Sequence, residues 1–116
     1  KLFQRERHNI ICEVAIPFTI AALGGKIEVP TIERKMVNVS IPKGMQSGHK
    51  LRVKEKGMSI LRTNNRGDMI VKVHAETPVS LSKEQEKILS QFNETLTKKN
   101  STMTEGFFDK VKKMFG

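Results

Sequence analysis

Neither tryptophan nor tyrosine occurs in this chain, and cysteine occurs once, at Cys12. One cysteine excludes a disulfide within the chain and any zinc site built on several cysteines of one copy. It fits a reducing compartment, so the expected location is cytoplasmic. Cys12 falls on the inward side of a strand pattern, where a buried and inert thiol is expected. The longest mostly apolar stretch, VAIPFTIAALGG, is interrupted by proline and threonine and is far too short to span a bilayer. No membrane partner is expected. Aspartate is scarce as well: Asp68 stands in a turn, and Asp109 stands in the first turn of a terminal helical pattern, where it meets the positive end of the helix dipole. His8, His49 and His74 share no metal-ligand spacing. No glycine-rich phosphate loop, serine elbow or metal-binding helix pair is present. A hydrolytic enzyme would need a nucleophile and a base, and none can be paired. No catalytic residue, metal or cofactor is therefore expected in this chain.

What is present suits a small globular protein. The 116 residues are 37% apolar and 28% charged, enough for one domain with a modest core. The formal charge of +9 makes acidic partners worth considering. The chain opens at Lys1 without a methionine or a signal-peptide pattern, and it reads as a fragment of something longer.

Five stretches alternate with period two. NIICEVAI puts Ile10, Cys12, Val14 and Ile16 on one face, and KIEVP puts Ile27 and Val29 inward. KMVNVSI opposes Val37, Val39 and Ile41 to Asn38 and Ser40. HKLRVKEK sets Leu51 and Val53 against a row of Lys50, Arg52, Lys54 and Lys56, and DMIVKVHAET sets Met69, Val71, Val73 and Ala75 against Ile70, Lys72, His74 and Glu76. Pro17 and the pair Gly24-Gly25 bracket one short helix. A loop runs from Gly57 to Gly67 and contains Asn64-Asn65. After Pro78 the period becomes helical: Ser82 and Gln85 form a capping box, and Ile88, Leu89, Phe92 and Leu96 form a stripe. The expected fold is mainly β: a small two-sheet β-sandwich, antiparallel or mixed, with one short internal helix, followed by two C-terminal α-helices. The sandwich is placed at 1–78, an amphipathic helix packed on it at 79–97, a linker at 98–105 and a last helix at 106–116.

Two features invite a partner. The row Lys50, Arg52, Lys54 and Lys56 is the best nucleic-acid feature, but it lacks the interleaved aromatics on which bases stack. A solvated outer face or a landing site for acidic protein fits it as well. The last helix raises a sharper question. Phe107, Phe108, Val111, Met114 and Phe115 fall on one helical face, and so short a helix is marginal alone in water. Its own core, a second copy of the chain and a different partner are all open destinations. Ile11, Met36, Met58 and Ile70 are apolar residues at outward or loop positions, which makes them candidate contacts for a client or partner.

The phrases CEVAIPFTIAALGGKIEVPT, IPKGMQSG, KGMSILRTNNRGDMIVKVHAETP and GFFDKVKKMF, in this order, resemble the C-terminal part of a DnaJ-type co-chaperone. The resemblance runs from LFQR to the end. It implies the second of two related β-sandwich domains followed by a dimerisation segment. The J-domain with its HPD motif, which stimulates a DnaK-type ATPase, the zinc repeats of one class and the first sandwich are all parts of such proteins that this stretch lacks. Zinc and ATPase stimulation are therefore expected only elsewhere in such a parent, and unfolded polypeptide and a DnaK-type chaperone are expected partners of the whole. Carried over, the dimer-forming positions are Phe107, Phe108, Val111, Met114 and Phe115. The family usually has glycine where Arg7, Arg34 and Glu55 stand, proline at Ser59 and aspartate at Asn9.

Overall fold

All five alternating stretches become paired strands. The computed structural model describes residues 2–60 and 65–116. The elements are β1 (Phe3–Glu6), β2 (Asn9–Pro17), α1 (Phe18–Leu23), β3 (Gly25–Pro30), β4 (Met36–Ile41), β5 (Lys50–Val53), β6 (Met69–Glu76), α2 (Lys83–Thr95) and α3 (Thr102–Phe115). They divide into two units, Lys1–Pro78 and Val79–Gly116. Residues 61–64 of the expected Gly57–Gly67 loop, Asn64 among them, lie outside the described residues.

The first unit is the sandwich. One sheet has four strands in the order β1-β2-β6-β5, and a second is the hairpin β3-β4. β2 and β6 run parallel at the centre, with Cys12 beside Val71 and Val14 beside Val73. The strands on either side of them run antiparallel, so the larger sheet is mixed. Inward residues from both sheets meet in one core: Cys12, Ile16, Val71 and Val73 from the larger sheet, Val29, Val39 and Ile41 from the smaller, and Ala21 from α1. Each such Val or Ile contributes roughly 1.5–3 kcal/mol on burial, which is what fixes the register against a one-residue slip. The same enclosure raises the pKa of the Cys12 thiol above its ordinary value by denying the thiolate water.

α1 is six residues long and could not stand alone. Tertiary bonds hold its end: the amide of Met45 donates to the carbonyl of Ala21 at 2.8 Å, and that of Gly44 to Ala22 at 3.1 Å. Gly24 then turns the chain out at φ 78°, where a Cβ would stand 2.9 Å from the carbonyl oxygen of Ile41. A side chain fits neither the angle nor the space.

Two expectations need correction. A sixth strand, β1, precedes the five read from the sequence, and it pairs with β2 from Phe3–Cys12 to Glu6–Asn9. FQRE offers one apolar residue and no visible alternation, so its extended shape comes from pairing and not from its own pattern. The last helix also begins earlier, at Thr102, which shortens the linker to residues 96–101. Met103, one turn before Phe107, extends the apolar stripe, and Glu105 places an acid in the first turn. The Ser82–Gln85 capping box of α2 forms as read, with the Gln85 amide donating to the Ser82 hydroxyl at 3.1 Å and the Ser82 amide donating to the Gln85 side chain at 2.8 Å.

The three positions where the resemblance implies glycine are left-handed here: Arg7 at φ 58°, Arg34 at 64° and Glu55 at 62°. Arg7 lies in the β1-β2 turn, Arg34 in the β3-β4 connection and Glu55 just after β5. In the β3-β4 connection the buried Thr31 brackets the turn, exchanging hydrogen bonds with the backbone of Lys35 through both its amide and its hydroxyl.

Candidate functional site: a helix stripe and a sheet groove

α3 presents its apolar side chains to solvent. Phe107 is 61% exposed, Phe108 53%, Met114 78% and Phe115 85%, whereas Val111 is half-buried. Phe107 and Phe108 meet edge to face, their ring centroids 5.3 Å apart. Met103, 76% exposed, joins them. The sequence reading omitted it, although its place four residues before Phe107 was the available signal. Lys112 and Lys113 stand in the last turn, where they complement the helix dipole.

The second candidate lies on the outer face of the four-stranded sheet. Ile11 and Ile70 are direct neighbours across the parallel pair, and Arg52 stands opposite Ile70 on β5. They share a groove of about 280 Å³ with Leu51, Lys50, Asn9 and Glu6. Its floor is apolar, one wall carries Lys50 and Arg52, and the other carries Glu6. Of the four candidate contacts, only Ile11 and Ile70 come together. Met36 is exposed on β4, in the other sheet. Met58 sits in the β5-β6 loop, its amide donating to the carbonyl of His8 at 2.8 Å. Glu6, Asn9 and Lys50 were missed as walls, because only strand order reveals which residues flank an outward Ile pair.

Asp68 organises one end of that groove. Its carboxylate accepts from the Glu55 amide at 2.9 Å and pairs with the Arg52 guanidinium, and its own amide donates to Asn9 Oδ1 at 2.8 Å. The hydrogen bond from Glu55, followed by that from Arg52, holds the Asp68 carboxyl below the usual carboxylate range. The loop leaving this point returns along His8: the Gly57 amide donates to Gly67 at 2.8 Å, and a Cβ on Gly67 would lie 1.9 Å from the His8 carbonyl oxygen.

The basic row does not survive as a continuous stripe. Arg52 is engaged by Asp68, and Lys56 lies 3.9 Å from Glu33, which Arg66 also reaches at 3.6 Å. Lys50 and Lys54 are exposed, but β5 ends at Val53, before Lys54. Among the described residues no group of His, Cys, Asp and Glu is placed to hold a metal ion. None of their helices is long and apolar enough to cross a membrane.

Comparison with known proteins covers the chain nearly end to end. The family described as DnaJ C terminal domain matches residues 1–78, and that described as Chaperone protein DnaJ C-terminal region matches residues 84–116. A Chaperone protein DnaJ of Paramagnetospirillum magneticum is 49% identical over 99% of this chain and 31% of that protein. Those of Rhodospirillum centenum and Ruthia magnifica are 46% and 44% identical, again over 99% of this chain, covering 30% and 31% of their own lengths. The chain thus spans about a third of the curated relatives it matches.

Proposed function

The chain belongs to the DnaJ C-terminal domain family, and on that premise we propose that it is a non-catalytic dimerisation and substrate-presentation module of a cytoplasmic co-chaperone. In the whole protein it would help deliver unfolded polypeptide to a DnaK-type ATPase. The single observation that carries this reading is the uncovered stripe of α3: four of its five predicted interface residues are more than half exposed. So large a greasy face on a short helix is costly to leave in water.

The energetics favour a two-fold solution. Burying five such side chains contributes on the order of 8–15 kcal/mol gross, at roughly 1.5–3 each. Association costs about 4–15 kcal/mol in lost rigid-body freedom. One docked helix is marginal on those terms. A two-fold pair buries the stripe twice against a single association cost. Two client-binding arms joined in this way raise the effective concentration of each arm for the other's polypeptide. The 79–97 segment, with its Ile88, Phe92 and Leu96 stripe, belongs to the same assembly unit in this reading. The Ile11–Ile70 groove is the proposed contact for extended apolar polypeptide, since strand-like chains suit a shallow apolar floor between polar walls.

Light scattering on a sizing column tests the core of the proposal. The chain is expected to run at twice its 13.1 kDa protomer mass, and a version ending at Asn100 as a monomer. If both are monomeric, α3 serves another purpose and the interface residues are misassigned. The nucleic-acid alternative has no supporting observation once Arg52 and Lys56 are engaged by acids.

A further inference from the structure

Three connections gather at one end of the sandwich. β2 runs antiparallel to β1 and parallel to β6, and β5 runs antiparallel to β6, so the β1-β2 turn and the β5-β6 loop leave the larger sheet on the same side. The Met58 amide ties the two together by donating to the His8 carbonyl at 2.8 Å. The β3-β4 connection joins them through Glu33, which lies 3.6 Å from Arg66 and 3.9 Å from Lys56. The described residues of these connections set Arg7, Arg34, Lys35, Lys54, Lys56 and Arg66 against Glu33, Glu55 and Asp68. At the opposite end, residues 18–24 and 42–49 carry Lys43 and no acid. The larger positive excess therefore sits on one end of the sandwich.

Most of the acid at that end is already engaged. Glu33 is shared by Lys56 and Arg66, and Asp68 holds Arg52. Arg7, Arg34 and Lys35 are exposed and form no ion pair among the described residues. Arg7 and Arg34 also hold left-handed backbone in two hairpin connections, a conformation that glycine would meet without the Cβ clash. Strained positions of this kind concentrate at functional sites. Here the strain keeps a guanidinium in each connection.

We propose that this end of the sandwich binds an acidic segment of a partner polypeptide, whose carboxylates meet Arg7, Arg34 and Lys35. Guanidinium groups suit that partner because their paired N–H donors match a carboxylate. A polypeptide fits better than a nucleic acid or a lipid surface for two reasons. Glu33 and Glu55 interrupt the basic surface, which disfavours a dense polyanion but leaves room for spaced carboxylates. The described residues of the three connections also include no aromatic side chain on which a base could stack or which could enter a lipid interface. The site is independent of the dimer reading, because all three connections belong to the Lys1–Pro78 unit.

Fluorescence anisotropy on the intact 116-residue chain tests this, with a dye-labelled peptide of alternating glutamate and serine as the probe. The peptide is expected to bind at low salt and to weaken as salt rises, whereas its glutamine counterpart should not bind. Arg7→Gly/Arg34→Gly should weaken binding by about threefold or more, the worth of two exposed ion pairs. Glycine suits both backbone angles, so an unfolding midpoint no lower than that of the unmodified chain shows that the loss is one of contact. Lys26→Gln/Lys43→Gln removes the same charge away from this end and should leave the affinity unchanged. Equal losses in the two double variants would overturn the site, because net charge alone would then explain them. Failure of the glutamate peptide to bind at low salt would overturn it as well. Tighter binding to a single-stranded oligonucleotide or to vesicles of anionic phospholipid, lost in Arg7→Gly/Arg34→Gly, would overturn the polypeptide as occupant.

Discussion

Replacing Arg7, Arg34 and Glu55 together by glycine is expected to stabilise the sandwich. All three sit between φ 58° and 64°. A side chain in the left-handed region costs about 1–2 kcal/mol, from the clash of Cβ with the following carbonyl. Glycine escapes that cost but loses about 0.5–1 kcal/mol through the greater freedom of its unfolded chain. The net gain is about 0.5–1 kcal/mol per site, or about 1.5–3 kcal/mol for three sites that add. None of the three side chains makes an ion pair among the described residues, so little else is removed. For a domain of this size the melting temperature should rise by roughly 6–20 °C. Thermal and urea unfolding followed by circular dichroism reads both the shift and its slope. The matching alanine triple is the control: it alters charge identically but keeps a Cβ in the left-handed region, so it should gain nothing. Equal gain in the two triples would mean that charge, not backbone strain, sets the effect, and a loss in the glycine triple would refute the reasoning outright.

Gly67→Ala should behave in the opposite way, losing about 1–3 kcal/mol or more. A methyl there meets the His8 backbone at 1.9 Å, and a urea midpoint within error of the unmodified chain would contradict that closeness. The lowered pKa of Asp68 makes its contribution pH-dependent: it is present above the ordinary carboxylate pKa and lost as pH falls through the lower, folded value. Asp68→Asn should therefore be the less stable chain at neutral pH and lose less than the unmodified chain as pH falls through and below the ordinary carboxylate range, so parallel stability curves would count against the hydrogen bonds assigned to this carboxylate. Cys12, fully buried and with its pKa raised, should react with a thiol reagent only as fast as the sandwich opens, and rapid labelling of the folded chain would show the core to be looser than described.

The pattern of residues along the chain determined a good deal by itself. Five strands, the short helix between Pro17 and Gly24, the capped start of α2 and the greasy face of α3 are all readable from side-chain period and turn residues, because these are local consequences of backbone geometry. Inward faces follow from the same alternation, since a one-residue slip would turn Cys12, Val71 and Val73 toward water. Tertiary structure decided the rest. β1 carries too few apolar residues to signal itself and exists because β2 offers an edge. That β2 and β6 lie parallel and adjacent, with 51 residues between the end of one and the start of the other, is fixed by the shared core and not by any nearby turn. The same pairing brings Ile11 against Ile70 and leaves Met36 in the other sheet. Asp68 became an anchor in this way, and Arg52 and Lys56 of the basic row took acidic partners. Period and propensity are properties of neighbours in the chain. Grooves and ion pairs belong to residues that meet only after the strands have found their order.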